Sequence, residues 1–298
     1  MDNVKRSVRE EYVQSDGARF WTATQGQGEA LVLLHGGPGG SDQLQAVADM
    51  VDDLVQVHRY EQRGCGRSAG GPPYTVERWL NDLEQLRRHW KHPQWIVFGH
   101  SFGAELALAY AAAFPSRVRG IIYMSCLPAV LADRRGEEEF RANRVARIAE
   151  PLRARFVELR RLRDEGGEHW TPTLAAELVH MGLTAEFGDP ATAALHVDVM
   201  VESSRPVNQE INKALGEDFR RHARRNEFLA GVRQIECPAL VLHGDRDLRP
   251  MWAAERLAQQ LPNARLVRLP GGHFPWVEAP FELRRSLRSF VSAIVGTT

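Results

Sequence analysis

"IVFGHSFGAELALAY", Ile96 to Tyr110, joins a short apolar run to an alanine- and leucine-rich stretch through Gly99-His100-Ser101-Phe102-Gly103. The apolar run has the length of a buried strand, and the stretch after it is built of strong helix formers. A serine between two glycines at such a junction has a bland reading, a tight turn that glycine permits. It also has a chemical one. A sharp turn lifts the hydroxyl off the sheet, the glycines leave room for a strained backbone, and the helix N-terminus favours negative charge developing nearby. The pentapeptide alone arises by chance; its strand-turn-helix setting makes Ser101 a candidate nucleophile.

Outward from this junction the same rhythm repeats. Arg19–Thr24, Ala30–Leu34, Leu54–Tyr60 and Arg119–Ser125 read as strands. Val76, Trp79, Leu80, Leu83 and Leu86 recur on one face of a helix over Tyr74–Trp90, and the helix Phe102–Phe114 is stopped by Pro115. After Pro238 the order is strand Ala239–His243, helix Trp252–Leu261, strand Ala264–Leu269 and helix Pro280–Ile294. Strands alternating with helices predict parallel strands joined by crossovers, an α/β sheet covered on both faces. Between residues 131 and 233 strand signals fade, and Phe140, Val145, Ile148, Leu152, Phe156 and Leu159 fall at helical intervals, with Pro151 marking a boundary or kink. The expected organisation is an α/β core over residues 1–130 and 234–298, interrupted by a helical cap over 131–233.

A serine hydroxyl needs a base, and the base needs an orienting acid. In this motif class the chain order is serine, acid, histidine. "ALVLHGDRDLRP" runs a strand into an acid-rich loop, and "LPGGHFPWVEAP" sets His273 in a Gly/Pro loop after the last strand. Both lie at the carboxyl edge of the sheet, where open α/β sheets bind ligands. His273 stands out among 11 histidines by that position; the acid is Asp245 or Asp247, the former able to serve the turn instead. The end of the strand Arg119–Ser125 offers no acid. An oxyanion hole takes one N–H from the residue after the nucleophile, Phe102, and one from an earlier loop. "LVLLHGGPGG" supplies that loop: Gly37 is the expected donor, and Gly36 is expected against the substrate. The loop lacks both a P-loop lysine and dinucleotide spacing.

Composition narrows the classes. The 298 residues are 43% hydrophobic, and Lys plus Arg, 38, balance Asp plus Glu, 38, so no basic surplus points to nucleic acid. Cys65, Cys126 and Cys237 are scattered, with no metal-binding or disulfide spacing, and suit a reducing compartment. The N-terminal residues contain no apolar segment of the secretory kind, and no run is long enough to span a bilayer. The expectation is a cytoplasmic enzyme that uses no metal or other cofactor and engages neither membrane nor nucleic acid. Its oligomeric state is left open.

Three stretches resemble the proline iminopeptidase (prolyl aminopeptidase) branch of the α/β-hydrolases. "LLHGGPGGS", Leu33–Ser41, matches the oxyanion-loop motif of that branch. "YEQRGCGRS", Tyr60–Ser68, resembles its Asp-Gln-Arg-Gly-Cys-Gly-Arg-Ser signature with Glu61 in place of Asp, and "HGDRD…GGHF" carries the usual acid and histidine. The resemblance implies an α/β-hydrolase fold, Ser101 as nucleophile, Asp247 as orienting acid and His273 as base. "ESSRPVN", Glu202–Asn208, is similar to the family's Glu-Asn-His-Tyr-Phe-Val-Asn, which puts Glu202 on the acid that holds a substrate's free amino group. Two departures stand out. The branch's elbow is Gly-Gly-Ser-Trp-Gly, here Gly-His-Ser-Phe-Gly, and its cap aromatics are Arg205-Pro206. The Gln62–Ser68 run reads as structural, tying loops at the sheet edge, and Cys65 has no acid–histidine pair near it in sequence.

The expected activity is hydrolysis of an amide or peptide bond after a small N-terminal residue, through an acyl-enzyme, on a small molecule or short peptide. An esterase, amidase or lactonase using the same three residues is the first alternative. A non-catalytic, hydrolase-like binding protein is the second. Arg205, Arg249, Trp252 and Trp276 are placed at the mouth by loop position alone.

Overall fold

In the computed structural model, residues 7–129, 134–167, 169–203 and 205–296 are described. Eight strands form one sheet among them: β1 (Arg9–Ser15), β2 (Ala18–Gln25), β3 (Ala30–Leu34), β4 (Gln56–Tyr60), β5 (Trp95–His100), β6 (Val118–Met124), β7 (Ala239–Gly244) and β8 (Ala264–Leu269). Their order is β1-β2-β4-β3-β5-β6-β7-β8. β1 pairs antiparallel with β2 and β2 with β4, whereas every pairing from β4 to β8 is parallel.

The helices are α1 (Gln45–Ala48), α2 (Val76–His89), α3 (Phe102–Ala113), α4 (Arg134–Arg147), α5 (Arg153–Glu165) and α6 (Pro172–Glu186). They continue with α7 (Pro190–Ser203), α8 (Gln209–His222), α9 (Asn226–Arg233), α10 (Met251–Gln260), α11 (Pro275–Glu278) and α12 (Pro280–Val295). Alternation along the strands divides the core. Val32, Leu34, Val97, Tyr123 and Val241 face α2, α3 and α10; Leu33, Phe98, Ile122, Met124 and Leu242 face α1 and α12. Because both faces are covered, the central strands are apolar at nearly every position. This mostly parallel sheet flanked by helices is the architecture expected from the sequence.

β1 was not among the expected strands. Of its residues only Val13 is buried, so side-chain pattern carries little of its signal. Its backbone is held by β2 in a register running from Arg9 opposite Thr24 to Ser15 opposite Ala18.

From Arg134 to Arg233 the described residues form helices and turns without a strand; the expected junction near residue 131 lies outside the described residues. Pro151 sits in a short turn between α4 and α5, where its fixed φ and missing N–H end the first helix. Packing divides this insertion. Ile148, Phe156, Leu159, Leu178 and Met181 of the α4–α6 segment form a small core of their own with Leu248. Phe187, Ala193 and Val197 close on Phe274. Ile211, Leu215, Phe219, Phe228 and Val232 of α8 and α9 instead join the main core beside α2 and α3. No helix among the described residues is long and apolar enough to cross a membrane.

Candidate active site

Ser101 caps α3 at the end of β5 with φ 54° and ψ −128°, a backbone region that L-residues seldom occupy. Neighbouring structure enforces it. The Ser101 N–H donates to the Met124 carbonyl at 2.9 Å, and its own carbonyl accepts from Ala104 N–H at 2.8 Å. The flanking glycines are required by close approach. A Cβ on Gly103 would lie 2.1 Å from the Leu34 carbonyl oxygen, and one on Gly99 would lie 2.1 Å from the Gly103 carbonyl oxygen.

The glycine loop after β3 lies against this turn, so close that a Cβ on Gly36 would stand 3.1 Å from the Ser101 Cβ. Gly37 adopts φ 136°, a left-handed conformation that favours glycine. Phe102, the first residue of α3, has a backbone N–H without an intrahelical partner, and its ring packs edge-on against Phe219 at 5.6 Å. The Gln62 run holds the loop from behind. Gln62 N–H donates to His35 Nε2 at 3.0 Å, and Gln62 Nε2 donates to the His35 carbonyl at 2.9 Å. Since His35 Nδ1 reaches the Gly36 carbonyl at 2.8 Å, it carries the ring proton, and burial keeps this imidazole neutral. Buried Glu61 takes the Arg67 guanidinium and the Asp42 N–H, and Arg63 forms a buried two-bond pair with Asp82. Cys65 is buried and its thiol is pushed up to about 12, the wrong direction for a nucleophile.

The two acids of the β7 loop part company. Asp247, with no exposed side-chain surface, places Oδ2 3.0 Å from His273 Nδ1. Asp245 is half exposed and accepts the Gly271 N–H at 3.0 Å, the turn role open to it in the sequence. Burial pushes the Asp247 carboxyl upward, but the Arg249 guanidinium and then His273 outweigh it and hold it well below the ordinary carboxylate range. His273 is tied to the residue that precedes Ser101: His100 Nε2 donates to the His273 carbonyl at 2.9 Å, and the two rings lie 4.5 Å apart. Burial, followed by His273, drives the His100 imidazole well below its ordinary value, so it stays neutral.

Sequence reasoning missed three side chains here. Arg249, expected only to line the mouth, is mostly covered, with Nη1 3.0 Å from Asp247, 2.8 Å from Glu186 and 3.0 Å from His273 Nδ1. Glu186 ends α6; its backbone carbonyl accepts the His273 N–H at 2.9 Å, and its carboxylate also pairs with Arg144. Glu278 accepts N–H bonds from Gly272, Gly188 and Asp189, at 2.6, 2.8 and 3.1 Å, stitching the α6–α7 turn to the histidine loop. "GDRDLRP" contained Arg249 in plain view, but only folding brings Glu186 to it.

Trp276 packs edge-on to His100 at 4.7 Å, while Trp252 lies under α4 with Nε1 on Glu139 at 2.9 Å. The "RPVN" stretch is fastened to the glycine loop. Arg205 N–H meets Ser41 Oγ at 3.3 Å, Asn208 N–H donates to the Gly39 carbonyl at 2.8 Å, and Asn212 Nδ2 donates to the Pro38 carbonyl at 2.8 Å. Glu202 is exposed near the end of α7, and among the described residues no hydrogen bond or ion pair joins it to the serine cluster. Glu186, Asp247 and His273 form a metal-sized cluster of ligand atoms, but Arg249 already reaches all three side chains.

A family model described as alpha/beta hydrolase fold matches residues 29–280. A proline iminopeptidase of Saccharolobus solfataricus is 40% identical over 111 residues, 36% of this chain and 36% of that protein. The match thus spans about a third of that relative's length. A proline iminopeptidase of Lactobacillus delbrueckii subsp. lactis is 26% identical over 266 residues, 83% of this chain and 85% of the relative. Among solved structures, a thermophilic esterase from Thermogutta terrifontis superposes with a TM-score of 0.69 at 22% identity, over 98% of this chain and 99% of that one. At that identity the likeness is one of fold alone. With its sheet order, its strained serine turn and a family match over most of its length, the chain belongs to the alpha/beta hydrolase fold family, and within it is similar to proline iminopeptidases.

Proposed function

We propose that the chain is a serine hydrolase that removes a small N-terminal residue from a short peptide or aminoacyl amide. The observation carrying this is the buried Asp247–His273 pair, held by His100 beside a serine in strained backbone. Ser101 Oγ attacks the carbonyl while His273 Nε2 takes its proton, and Asp247 holds Nδ1–H and balances the imidazolium. The N–H groups of Gly37 and Phe102 receive the oxyanion, with Gly36 against the substrate. His273 then protonates the departing amine, and an acyl-enzyme remains. Water, activated by the same imidazole, releases the acid.

The amino-peptidase half of the reading rests on the relatives and on Glu202. Its carboxylate, at the end of α7 just before the stretch fastened to the glycine loop, is the group assigned to a substrate ammonium. Hydrolysis of proline, alanine and leucine anilides, beside an N-blocked proline anilide and an acetyl ester, tests it. Cleavage of the free anilides only, lost in Ser101→Ala and weakened in Glu202→Gln, is expected. Ester turnover indifferent to Glu202 would favour the second reading, an esterase, amidase or lactonase. His100 in the elbow and Arg205-Pro206 in the cap, where the iminopeptidase pattern differs, are what favour it. Three free cysteines and a balanced charge fit a cytoplasmic enzyme of small substrates rather than a nucleic-acid partner.

A further inference from the structure

Arg249 poses a problem for the base. Its Nη1 lies 3.0 Å from His273 Nδ1, the same distance at which Asp247 Oδ2 sits. A guanidinium only donates. If it donates to Nδ1, the ring proton must sit on Nε2, and that nitrogen cannot then accept from Ser101. If Nδ1–H donates to Asp247, the Arg249 contact is one of positive charge facing an N–H.

The arrangement around Nη1 decides between these. This nitrogen carries two hydrogens. Glu186 Oε2 lies at 2.8 Å and Asp247 Oδ1 at 3.0 Å, so both hydrogens have carboxylate acceptors. The imidazole can therefore take at most a shared hydrogen, in competition with a carboxylate. A carboxylate is also the stronger acceptor for a guanidinium. We propose that Glu186 is a positioning residue: supplied by the cap, it occupies the Arg249 hydrogen that would otherwise go to His273 Nδ1, and so keeps His273 in the tautomer that can accept a proton from Ser101. This rests on the serine-hydrolase reading above.

Charge acts in the same direction. The groups facing His273 are Asp247 and Arg249 from the loop after β7, His100 from β5, His243 from β7 and Glu186 from α6. Arg144 of α4 stands behind Glu186. His100 and His243 are held neutral by burial. Without Glu186, Arg249 would cancel Asp247 and leave the imidazolium uncompensated. The burial of Glu186 favours its neutral form, but Arg249, His273 and Arg144 bring its carboxyl down to about 2, so it is charged at neutral pH.

The test uses the full chain with 15N-labelled histidine and a serine-directed fluorophosphonate. Wild type should show His273 protonated at Nδ1. Glu186→Ala should shift it toward Nε2–H and slow labelling of Ser101 about 100-fold, the scale of a general base. Glu186→Ala with Arg249→Met, which removes the competing donor, should restore Nδ1–H and recover at least about 10-fold of that rate. A Glu186→Ala protein that keeps Nδ1–H, or a double variant no faster than the single one, overturns the inference. Should Glu186→Ala not fold, Glu186→Leu serves, because it fills the space and accepts nothing from Nη1; it should shift His273 toward Nε2–H in the same way, and a retained Nδ1–H overturns the inference. Wild type that is not labelled at Ser101 sinks the hydrolase reading, whereas the tautomer signal reports on Glu186 independently of turnover.

Discussion

At the scale of single residues, Asp245 and Asp247 differ by two positions and by everything that matters chemically. One is half exposed and closes a turn on Gly271; the other is buried against His273. Asp247→Asn removes the charge that balances the imidazolium, and turnover should fall by about 10³-fold or more. Asp245→Asn keeps an oxygen for the Gly271 N–H and should stay within about threefold, because a surface substitution that preserves its bond costs little. Steady-state rates of the two variants, side by side, check the assignment. Residue pattern placed both acids in the loop after β7 without choosing between them, and the family resemblance pointed to Asp247. Solvent exposure agrees with that choice, and exposure depends on residues distant in sequence, such as His273 packed against Asp247.

At the scale of elements, the junction of β5 and α3 concentrates the strain. α3 is apolar on all sides and packs against the sheet through small residues, so its first turn comes close to β3. Gly103→Ala puts a Cβ into the Leu34 carbonyl and should cost about 3 kcal/mol in urea unfolding, the upper range for overpacking. One turn into the same helix, Glu105 is fully buried, with Tyr123 and the Ala129 N–H on its carboxylate. Burial raises its carboxyl from 4.5 to about 7 despite those donors. Its folded value lies above its unfolded one, so its stabilising contribution is complete below pH 4.5 and is lost as pH rises through about 7. Wild type relative to Glu105→Gln should therefore lose up to about 3 kcal/mol between pH 5 and 8. Paired denaturant titrations across that window measure it, and parallel curves would contradict it. Sequence made the strand, the elbow and the helix plain because their periodicities are local. No local pattern marks Glu105, since its burial arises from β6 and the loop beyond it.

On the scale of the whole molecule, the α4–α7 segment has small cores of its own, which take in Leu248 and Phe274 from the rest of the chain, and polar contacts such as Arg249–Glu186 and Glu278–Gly188 tie it to the loops after β7 and β8. Such a unit opens at lower free energy than the sheet. Amide exchange in α4–α7 should run ahead of exchange in β3, β5 and β6. Glu278→Ala, which strips the acceptor from Gly188, Asp189 and Gly272, should speed exchange at those amides at least about 10-fold while leaving the central strands unchanged. Uniform acceleration throughout the chain would mean that the cap and sheet open as one.

The sequence by itself determined the class of the fold and the loops in which the candidate serine, acid and histidine lie. Those rest on chain-local features: apolar runs of strand length, helical spacing, and glycines where backbone must turn or approach closely. β1 escaped because its partner is a neighbouring backbone, not a buried face. The tertiary structure put Asp247, not Asp245, against His273, as the resemblance had implied, and it alone set Arg249 between two carboxylates, one of them Glu186 from 63 residues away in the chain. Charges buried together must neutralise one another. Which charges those are depends on how the end of α6 packs against the loops after β7 and β8, a long-range contact that no local pattern records.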